Sequence, residues 1–233
     1  MGEILEMKRS HVGLALAACL ALAACGNRSG QGQVEVLRTA VSGMFNSSDQ
    51  GNSGGASAEE LAAAINAALN GTDLPLSLAM VEARNATTLL TRIETNGAYG
   101  TWAAPDRRTI IMKDGLITAT RGLGNDIMSS ETGAVAALVT ARQAGQAQRV
   151  HRYLDGENHT VEMRADCRVT RGGEAMVKSV RFNAKTVEMT ESCDTGTRRF
   201  VNTYMVDRQG DVVQSRQWAN PEGGHIFIQA LRK

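Results

Sequence analysis

The sequence has no block of like charge. Its 25 Lys and Arg residues against 24 Asp and Glu residues give a net charge of +1, and basic residues alternate with acidic ones along the chain. Proteins that bind nucleic acid normally carry a basic patch or stripe, so this charge pattern argues against nucleic acid as a partner. The chain also has no Lys/Arg run that would attract another anionic surface.

Several motifs of enzyme chemistry are missing as well. The sequence has no G-K-[ST] phosphate loop, and Gly122–Gly124 lacks the third glycine of a dinucleotide-binding loop. His151, His159 and His225 have no spacing typical of a metal site. The stretch Gly51–Gly55 fits the G-x-S-x-G pattern of serine hydrolases, but no apolar strand leads into it. These absences predict a protein without a cofactor, a bound metal or a catalytic residue.

A membrane-spanning apolar run is also missing. The apolar segment near the amino terminus, Val12–Ala21, is too short to cross a bilayer. Lys8 and Arg9 precede it, and Leu22–Cys25 follows it as a run of small residues that ends in cysteine. This arrangement resembles the lipobox of bacterial lipoproteins. It predicts that residues 1–24 are a lipoprotein signal peptide and that Cys25 carries lipid, with a plain secretory signal as the alternative.

The residues around Cys25 bear on the site of lipidation and on its location. Leu16–Cys19 repeats the pattern, but cleavage there would leave too few apolar residues after the basic pair. Gly26 and Asn27 lack the aspartate that retains lipoproteins in the inner membrane of enteric bacteria. We therefore expect a lipid-anchored protein on the periplasmic face of the outer membrane. Residues 25–56, rich in Gly, Ser, Asn and Gln, are expected to form a flexible tether, and residues 57–233 a β-rich periplasmic domain.

Cysteine is scarce in the mature chain. Once Cys25 is lipidated, Cys167 and Cys193 remain, in an oxidising compartment where thiols pair. We expect these two residues to form a disulfide, with two free buried thiols as the alternative. Neither has a second Cys or His at ligand spacing, which argues against metal binding.

The pattern of apolar residues predicts a short helix followed by antiparallel strands. Ser57–Glu60 has the form of a helix capping box, and an apolar residue recurs at every fourth position until Gly71. Beyond Leu74 the period changes to two, most clearly in Val161–Val169, where apolar and charged residues alternate. The dipeptide Asp114–Gly115 between two apolar runs predicts a tight hairpin.

Other segments complete the expected layout. Arg171–Glu174 is expected to turn one strand into the next, Ala175–Phe182. Residues 130–149 show little periodicity and predict a crossover or a short helix between two loosely similar halves, about 74–130 and 150–233. The expected fold class is mainly β, with antiparallel sheets in a sandwich or barrel-like arrangement and a short amino-terminal helix.

Two groups of side chains leave a functional role open. Paired carboxylates can hydrolyse glycosidic bonds without a linear motif, because the required separation is spatial. Aromatic side chains can stack on sugars, although large aromatics on strands more often belong to the core. The carboxylates concerned are Asp126, Asp166, Glu188 and Glu191, and the aromatics are Tyr99, Trp102, Tyr204 and Trp218.

Two stretches carry a more specific likeness. The first has an aromatic strand, a D-G hairpin and a G-L-G-x-D-like loop, and the second has a closing R-Q-W segment. Together with the lipobox, they resemble the YjbF/GfcB lipoproteins, also called group 4 capsule polysaccharide lipoproteins. The resemblance covers most of residues 75–231, without the tether. The matching segments are Gly100–Asp106, Lys113–Leu116, Thr120–Asp126, Ser215–Trp218 and Ile226–Ile228.

The resemblance implies a mostly β periplasmic protein, anchored in the outer membrane, that serves exopolysaccharide or capsule secretion as a non-enzymatic accessory. It transfers no catalytic residue to this chain. A polysaccharide-binding module is the second hypothesis and a periplasmic glycan hydrolase the third. The expected partners are the membrane, through the lipid anchor, and either polysaccharide or proteins of the export machinery.

Loops on a β scaffold commonly carry recognition, which suggests where a partner would bind. We expect one functional surface to combine the loop after Thr120 with the R-Q-W segment. The alternative is that the loop glycines only turn the chain and that the tryptophan packs in the core. The residues of the expected surface are Arg121, Asn125, Asp126, Arg216, Gln217 and Trp218.

Overall fold

The computed structural model describes residues 58–154, 157 and 159–233, and most of them belong to one antiparallel sheet. The predicted signal peptide, Cys25 and the predicted tether lie outside the described residues. The twelve strands are β1 Leu76–Val81, β2 Ala86–Asn96, β3 Tyr99–Ala103, β4 Thr109–Lys113, β5 Leu116–Arg121, β6 Ser129–Glu131, β7 Gly145–Leu154, β8 Thr160–Lys178, β9 Asn183–Asp194, β10 Arg199–Asp207, β11 Val212–Asn220 and β12 Gly224–Arg232.

The sheet joins two runs of consecutive strands. Its order is β5-β4-β3-β2-β1-β12-β11-β10-β9-β8-β7-β6, and each neighbouring pair is antiparallel. Strands that follow each other in sequence pair with each other, except that β5 and β6 do not; the one further pairing joins β1 to β12. This single long-range pairing brings the first and last strands of the sheet together in its middle.

The sheet curls so that its two ends approach each other. Strand β5, at one end of the order, packs against β6, at the other end, and also against β11. Every residue of β5 from Leu116 to Thr120 is buried as a result. This barrel-like, mainly β architecture confirms the predicted fold class.

The hairpin between β4 and β5 shows how local sequence fixes the strand connections. Asp114 and Gly115 both have positive φ, 52° and 78°, as the tight two-residue hairpin turn requires. Aspartate tolerates this conformation better than most residues, and glycine adopts it without steric cost. The D-G signal therefore predicted both the turn and its place in the chain.

Within the described residues, two α-helices cover the sheet. Helix α1, Ala58–Gly71, packs Ile65 and Leu69 onto apolar side chains of β1 and β12, among them Leu78 and Leu231. Helix α2, Gly133–Thr140, buries Val135 and Val139 in the cluster formed by β8, β9 and β10. Among the described residues, no helix is both long and apolar enough to cross a membrane.

Two local expectations differ from the structure. Arg171–Glu174 does not end a strand, because β8 runs through it as one strand with a register shift between Arg171 and Glu174. The chain turns later, at residues 179–182. The two adjacent glycines signal this irregularity rather than a turn, as glycine in a strand often marks a bulge. Residues 130–149 contain the predicted short helix, α2, but also the end of β6 and the start of β7.

Candidate functional site

The loop after β5 is held together by one carboxylate. Asp126 accepts hydrogen bonds from Thr120 Oγ1 at 2.8 Å, from Gly122 N at 2.6 Å and from Leu123 N at 3.1 Å. Gly122 and Gly124 have φ of 79° and 76°, which a side chain would strain. The Asp126 carboxylate thus organises its own loop.

Two other side chains of this loop face solvent. Arg121 is exposed, although its guanidinium donates to the Thr120 and Ile127 carbonyls at 2.6 and 3.0 Å. Asn125 is exposed, and its carbonyl accepts a hydrogen bond from Asn220 Nδ2 at 2.9 Å. The loop is therefore docked onto the end of β11 at Asn220.

The R-Q-W segment lies mostly inside the protein. Gln217 is fully buried, and its side chain bridges β11 to the β4–β5 hairpin: Oε1 accepts from Ile117 N, and Nε2 donates to Gly115 O, each at 2.9 Å. Trp218 is only 5% exposed and stacks on Phe200 with ring centroids 4.6 Å apart. These two side chains stabilise the curled sheet.

The expected recognition surface is accordingly smaller than the sequence suggested. Gln217 and Trp218 are core residues, because the first makes the hydrogen bonds that close the sheet and the second fills the space beside Phe200. Arg216 is on the other face, where it forms a two-point ion pair with Glu82 at 2.6 Å and stays 41% exposed. Arg121, Asn125 and Arg216 remain as the accessible part of that surface.

A charged network lies in the interior of the sheet. Arg149 Nε is 3.0 Å from Glu191 Oε1, and both side chains are fully buried. Tyr204 and Asn202 donate to Glu191 Oε2 at 2.6 and 2.8 Å. Burial and the neighbouring carboxylate keep the pKa of Tyr204 well above 10. The Glu191 carboxylate accepts from two donors and is paired with Arg149, so it is not a free catalytic carboxylate. Arg149 Nε and Nη1, by contrast, have no hydrogen-bond partner among the described residues.

His151 lies beside this network without sharing its hydrogen bonds. It is fully buried, and neither ring nitrogen has a hydrogen-bond partner among the described residues. Its neighbours are aromatic, with the Tyr153 and Trp218 rings 6.0 and 6.1 Å away. Burial and the Arg149 cation hold its pKa well below 6.5, so the imidazole is neutral.

The disulfide lies next to the same network. Cys167 and Cys193 face each other across β8 and β9 and are bonded. The Cys193 sulfur is 3.2 Å from Glu191 Oε1. These three residues place ligand-type atoms within 4.8 Å of one another. However, the sulfurs are bonded together and the carboxylate is paired with Arg149, so the group does not have the free donors that a metal needs.

One cavity combines an aromatic ring with an unpaired cation. This Trp102 cavity has a volume of about 310 Å³ and lies between β2–β4 and β11–β12. Trp102 packs against the core on one side, and the Arg92 guanidinium lies 5.9 Å from the centre of its ring. The residues that define the cavity are Arg92, Gly100, Trp102, Met112, Ser215 and Ile228.

The aromatic residues named from the sequence are therefore spread over different environments. Tyr204 and Trp218 are buried in the core, as aromatics on strands usually are. Tyr99 is 45% exposed and lies under the Lys113 ammonium, 5.5 Å away. It stands three positions from Trp102 on β3, hence on the opposite face of the sheet. Trp102 alone of the four lines the cavity.

The sequence comparison decides the family. A model of the family described as group 4 capsule polysaccharide lipoprotein, YjbF and gfcB, matches residues 37–231. This chain belongs to that family. The resemblance found from the sequence is confirmed, and the family match begins at residue 37, well before residue 75. It therefore includes part of the predicted tether. A search of curated protein sequences gave no match.

Solved structures agree with the family at the level of the fold. The hypothetical lipoprotein YmcC from Escherichia coli K12 superposes with a TM-score of 0.64 at 14% identity, covering 78% of this chain and 98% of that one. A putative exported protein with a YmcC-like fold from Bacteroides fragilis gives a TM-score of 0.29 at 12% identity, over 68% and 93% of the two chains. Only the first similarity is close enough to describe a shared fold.

Sequence reasoning missed the interior network and the cavity. Arg149 and His151 fall at the edge of the Ala- and Gln-rich segment, where no alternation marked a strand. A signal was present in Arg149, His151 and Tyr153, which alternate on β7 and share its inner face with Ala147. Arg149, His151 and Tyr153 carry polar groups although they point inward. A search for strands with apolar residues on the buried face therefore does not detect them.

Proposed function

We propose that this protein is a lipid-anchored accessory of exopolysaccharide or capsule secretion, located on the periplasmic face of the outer membrane. The observation that carries the proposal is the family match over residues 37–231, because that family is described as capsule polysaccharide lipoproteins. The partners would be the polysaccharide itself or proteins of the export machinery. Arg121 and Asn125, on the loop after β5, and Arg216, on β11, are the candidate contacts for a protein partner, since all three are accessible.

The anchor is proposed at Cys25. The lipobox-like Leu22–Cys25 follows a short apolar run, and two or more acyl chains hold a protein on a membrane stably where one does not. Mass spectrometry of the mature amino terminus should find an acylated Cys25. An unmodified protein that begins at another residue would remove the anchor from the proposal.

A non-enzymatic role is supported by how the candidate carboxylates are used. Glu191 is paired with Arg149 in the interior, and Asp126 accepts three hydrogen bonds within its own loop. Neither is held in a polar cleft beside a second carboxylate in the way that glycoside hydrolysis requires. We therefore expect the protein to bind or assemble rather than to cut.

Gene deletion and complementation test the role. Loss of the gene should lower the amount of exported polysaccharide, and the wild-type gene should restore it. The Cys25→Ala variant, expressed to the same level, should restore little, since an unanchored accessory would not remain at the outer membrane. Unchanged export in the deletion strain would contradict the proposed function.

A second candidate function is direct binding of polysaccharide. The Trp102 cavity favours it, because an indole face and a guanidinium without a carboxylate partner are groups that commonly recognise polar ligands. Binding and accessory function are compatible, since an export accessory can hold the chain that it helps to move.

A further inference from the structure

We propose that the Trp102 cavity binds a carboxylate-bearing sugar residue, with the Arg92 guanidinium as the anion-recognising group. The inference rests on the proposed function, from which a saccharide follows as the class of ligand. It adds that the ligand binds in the Trp102 cavity and that the bound sugar is anionic. Its basis is the combination in one cavity of an unpaired guanidinium, an available indole N–H and a glycine that leaves room beside both.

Arg92 is free to take an anion. Among the described residues its guanidinium forms no ion pair and donates no hydrogen bond, and the one interaction described for this group is with the Trp102 ring. Arginine presents five N–H donors in a planar fork that matches a carboxylate with two parallel hydrogen bonds. The guanidinium lies within cation–π range of the indole, 5.9 Å from the ring centre, and this interaction uses none of the N–H donors of the fork.

Trp102 adds a second, directional contact. No described residue accepts a hydrogen bond from its Nε1, although the side chain is partly buried against the core. The indole N–H is a donor only, and a hydroxyl or ring oxygen of a sugar would accept from it. The cavity thereby offers donors both for an acidic group and for a neutral oxygen.

Gly100 shapes the space beside these two side chains. A Cβ at this position would lie 3.1 Å from Trp102 Nε1 and 3.2 Å from Arg92 Cδ. Glycine within a strand often marks a close approach of a ligand or another backbone. Here it keeps open the region from which both donors are reached.

The rest of the lining favours an anion of small size. Arg232 has no carboxylate partner in the described part of the chain and donates to main-chain carbonyls, whereas Lys233 is paired with Asp207 and Asp211. The lining contains two carboxylates, Asp114 and Asp211; Asp211 is paired with Lys233, so Asp114 is the one that would oppose binding. A volume of about 310 Å³ is at the low end for ligand sites, which suits a short segment of one or two sugar rings.

Calorimetric titration of the full-length protein in detergent tests the inference. The probe is a set of oligosaccharides released from the host's own exported polysaccharide by partial acid hydrolysis, and the matched probe is the same set after chemical reduction of its carboxyl groups. The wild-type protein should bind the acidic set, and carboxyl reduction should weaken binding by about tenfold or more, as loss of a charge-assisted contact does.

Three variants locate the contact. Arg92→Gln should weaken binding of the acidic set about tenfold or more, and Gly100→Ala should weaken it by narrowing the cavity. Arg168→Gln removes the same charge from an exposed position on β8 and should bind within about twofold of wild type. Thermal melting of each variant checks that it is folded, and the exposed position of Arg92 makes its replacement safe for folding.

Equal affinity for the two probe sets, or wild-type affinity in the folded Arg92→Gln protein, would overturn the inference. So would failure of the wild-type protein to bind the acidic set. If deletion of the gene still lowers polysaccharide export in those cases, the proposed function stands without this site. If deletion leaves export unchanged, the proposed function fails whatever the titration shows.

Discussion

Gln217 makes with its side chain the hydrogen bonds that a neighbouring strand would make with its main chain. It satisfies Ile117 N and Gly115 O on the β4–β5 hairpin and also donates to Ser215 Oγ, all at 2.9 Å. The amide therefore joins β5 to β11 where the curled sheet has no regular strand pairing. Gln217, which the sequence placed on an expected recognition surface, instead connects β11 to the β4–β5 hairpin.

Replacement of Gln217 by Leu should lower the free energy of unfolding by about 2–4 kcal/mol. The change leaves a buried main-chain N–H and carbonyl without partners, and each such group costs about 1–3 kcal/mol. Gln214→Leu, on the same strand but half-buried and without a described side-chain hydrogen bond, is the control and should change little. Urea unfolding of both variants measures the difference, and equal losses would contradict the bridging role.

His151 should make stability depend on pH. Its folded-state pKa lies well below the value of 6.5 expected in the unfolded chain. Below pH 6.5 the unfolded chain therefore binds a proton that the folded protein does not, and the free energy of unfolding falls as pH falls, by up to about 1.4 kcal/mol per pH unit.

The test for His151 compares the wild-type protein with His151→Leu in urea unfolding from pH 7.5 to pH 5. The variant should show a shallower loss of stability below pH 6.5, because the titrating imidazole is gone. Its absolute stability is not the readout, since the replacement also changes core packing. Parallel curves for the two proteins would show that His151 is not held neutral by the fold.

The strand pair β8–β9 is fastened by the Cys167–Cys193 disulfide. The two cysteines are separated by 26 residues in sequence and face each other directly in the register. Closing a loop of this length should stabilise the protein by about 3 kcal/mol in the chain-entropy treatment.

Replacing both cysteines by Ala should accordingly lower the free energy of unfolding by about 3 kcal/mol in the same assay. Thiol labelling of the denatured, unreduced wild-type protein is the accompanying control and should find neither Cys167 nor Cys193 reactive. Two reactive thiols, or full stability of the double variant, would contradict a structural disulfide.

The turn of the β4–β5 hairpin packs closely against Val212, at the start of β11. A Cβ at Gly115 would lie 2.5 Å from Val212 Cβ, whereas one at Gly97, in the β2–β3 turn, would meet nothing within 4 Å. Both glycines have positive φ, so both Ala variants strain the backbone. Gly115→Ala should therefore cost about 1–3 kcal/mol more than Gly97→Ala in urea unfolding, because of the added clash. Equal losses would show that the turn yields without displacing Val212.

The elements that the sequence predicts well are those whose signal is local. Alternation marks Val161–Val169, and the D-G dipeptide marks the turn between β4 and β5. The two glycines at 172–173 predicted a turn but lie at an irregularity within β8, because a bulge within one strand and a turn between two strands use the same residue type. The pairing of β1 with β12 has no local signal, since its two strands are about 150 residues apart.

The candidate site was predictable only in part for the same reason. The family motifs include the loop of Asp126 and Trp218. In the structure, Asp126 organises its own loop and Trp218 packs in the core. The Trp102 cavity is assembled from two sequence-distant groups of strands, β2–β4 and β11–β12, and the free state of the Arg92 guanidinium depends on which carboxylates the fold brings near it. The three-dimensional arrangement of the whole molecule, more than any sequence motif, shows which residues have a structural role and which are available to a ligand.

We expect the intact protein, as a non-enzymatic accessory that also holds the chain it helps to move, to bind exported polysaccharide without cutting it. Size-exclusion chromatography with light scattering, applied to the host's polysaccharide after incubation with purified full-length protein, measures both properties at once. An unchanged chain length, with protein co-eluting in the polysaccharide peak, is the expected result. A shortened polysaccharide, with cleavage abolished by Asp or Glu substitutions that leave the domain folded, would contradict it in favour of a hydrolase.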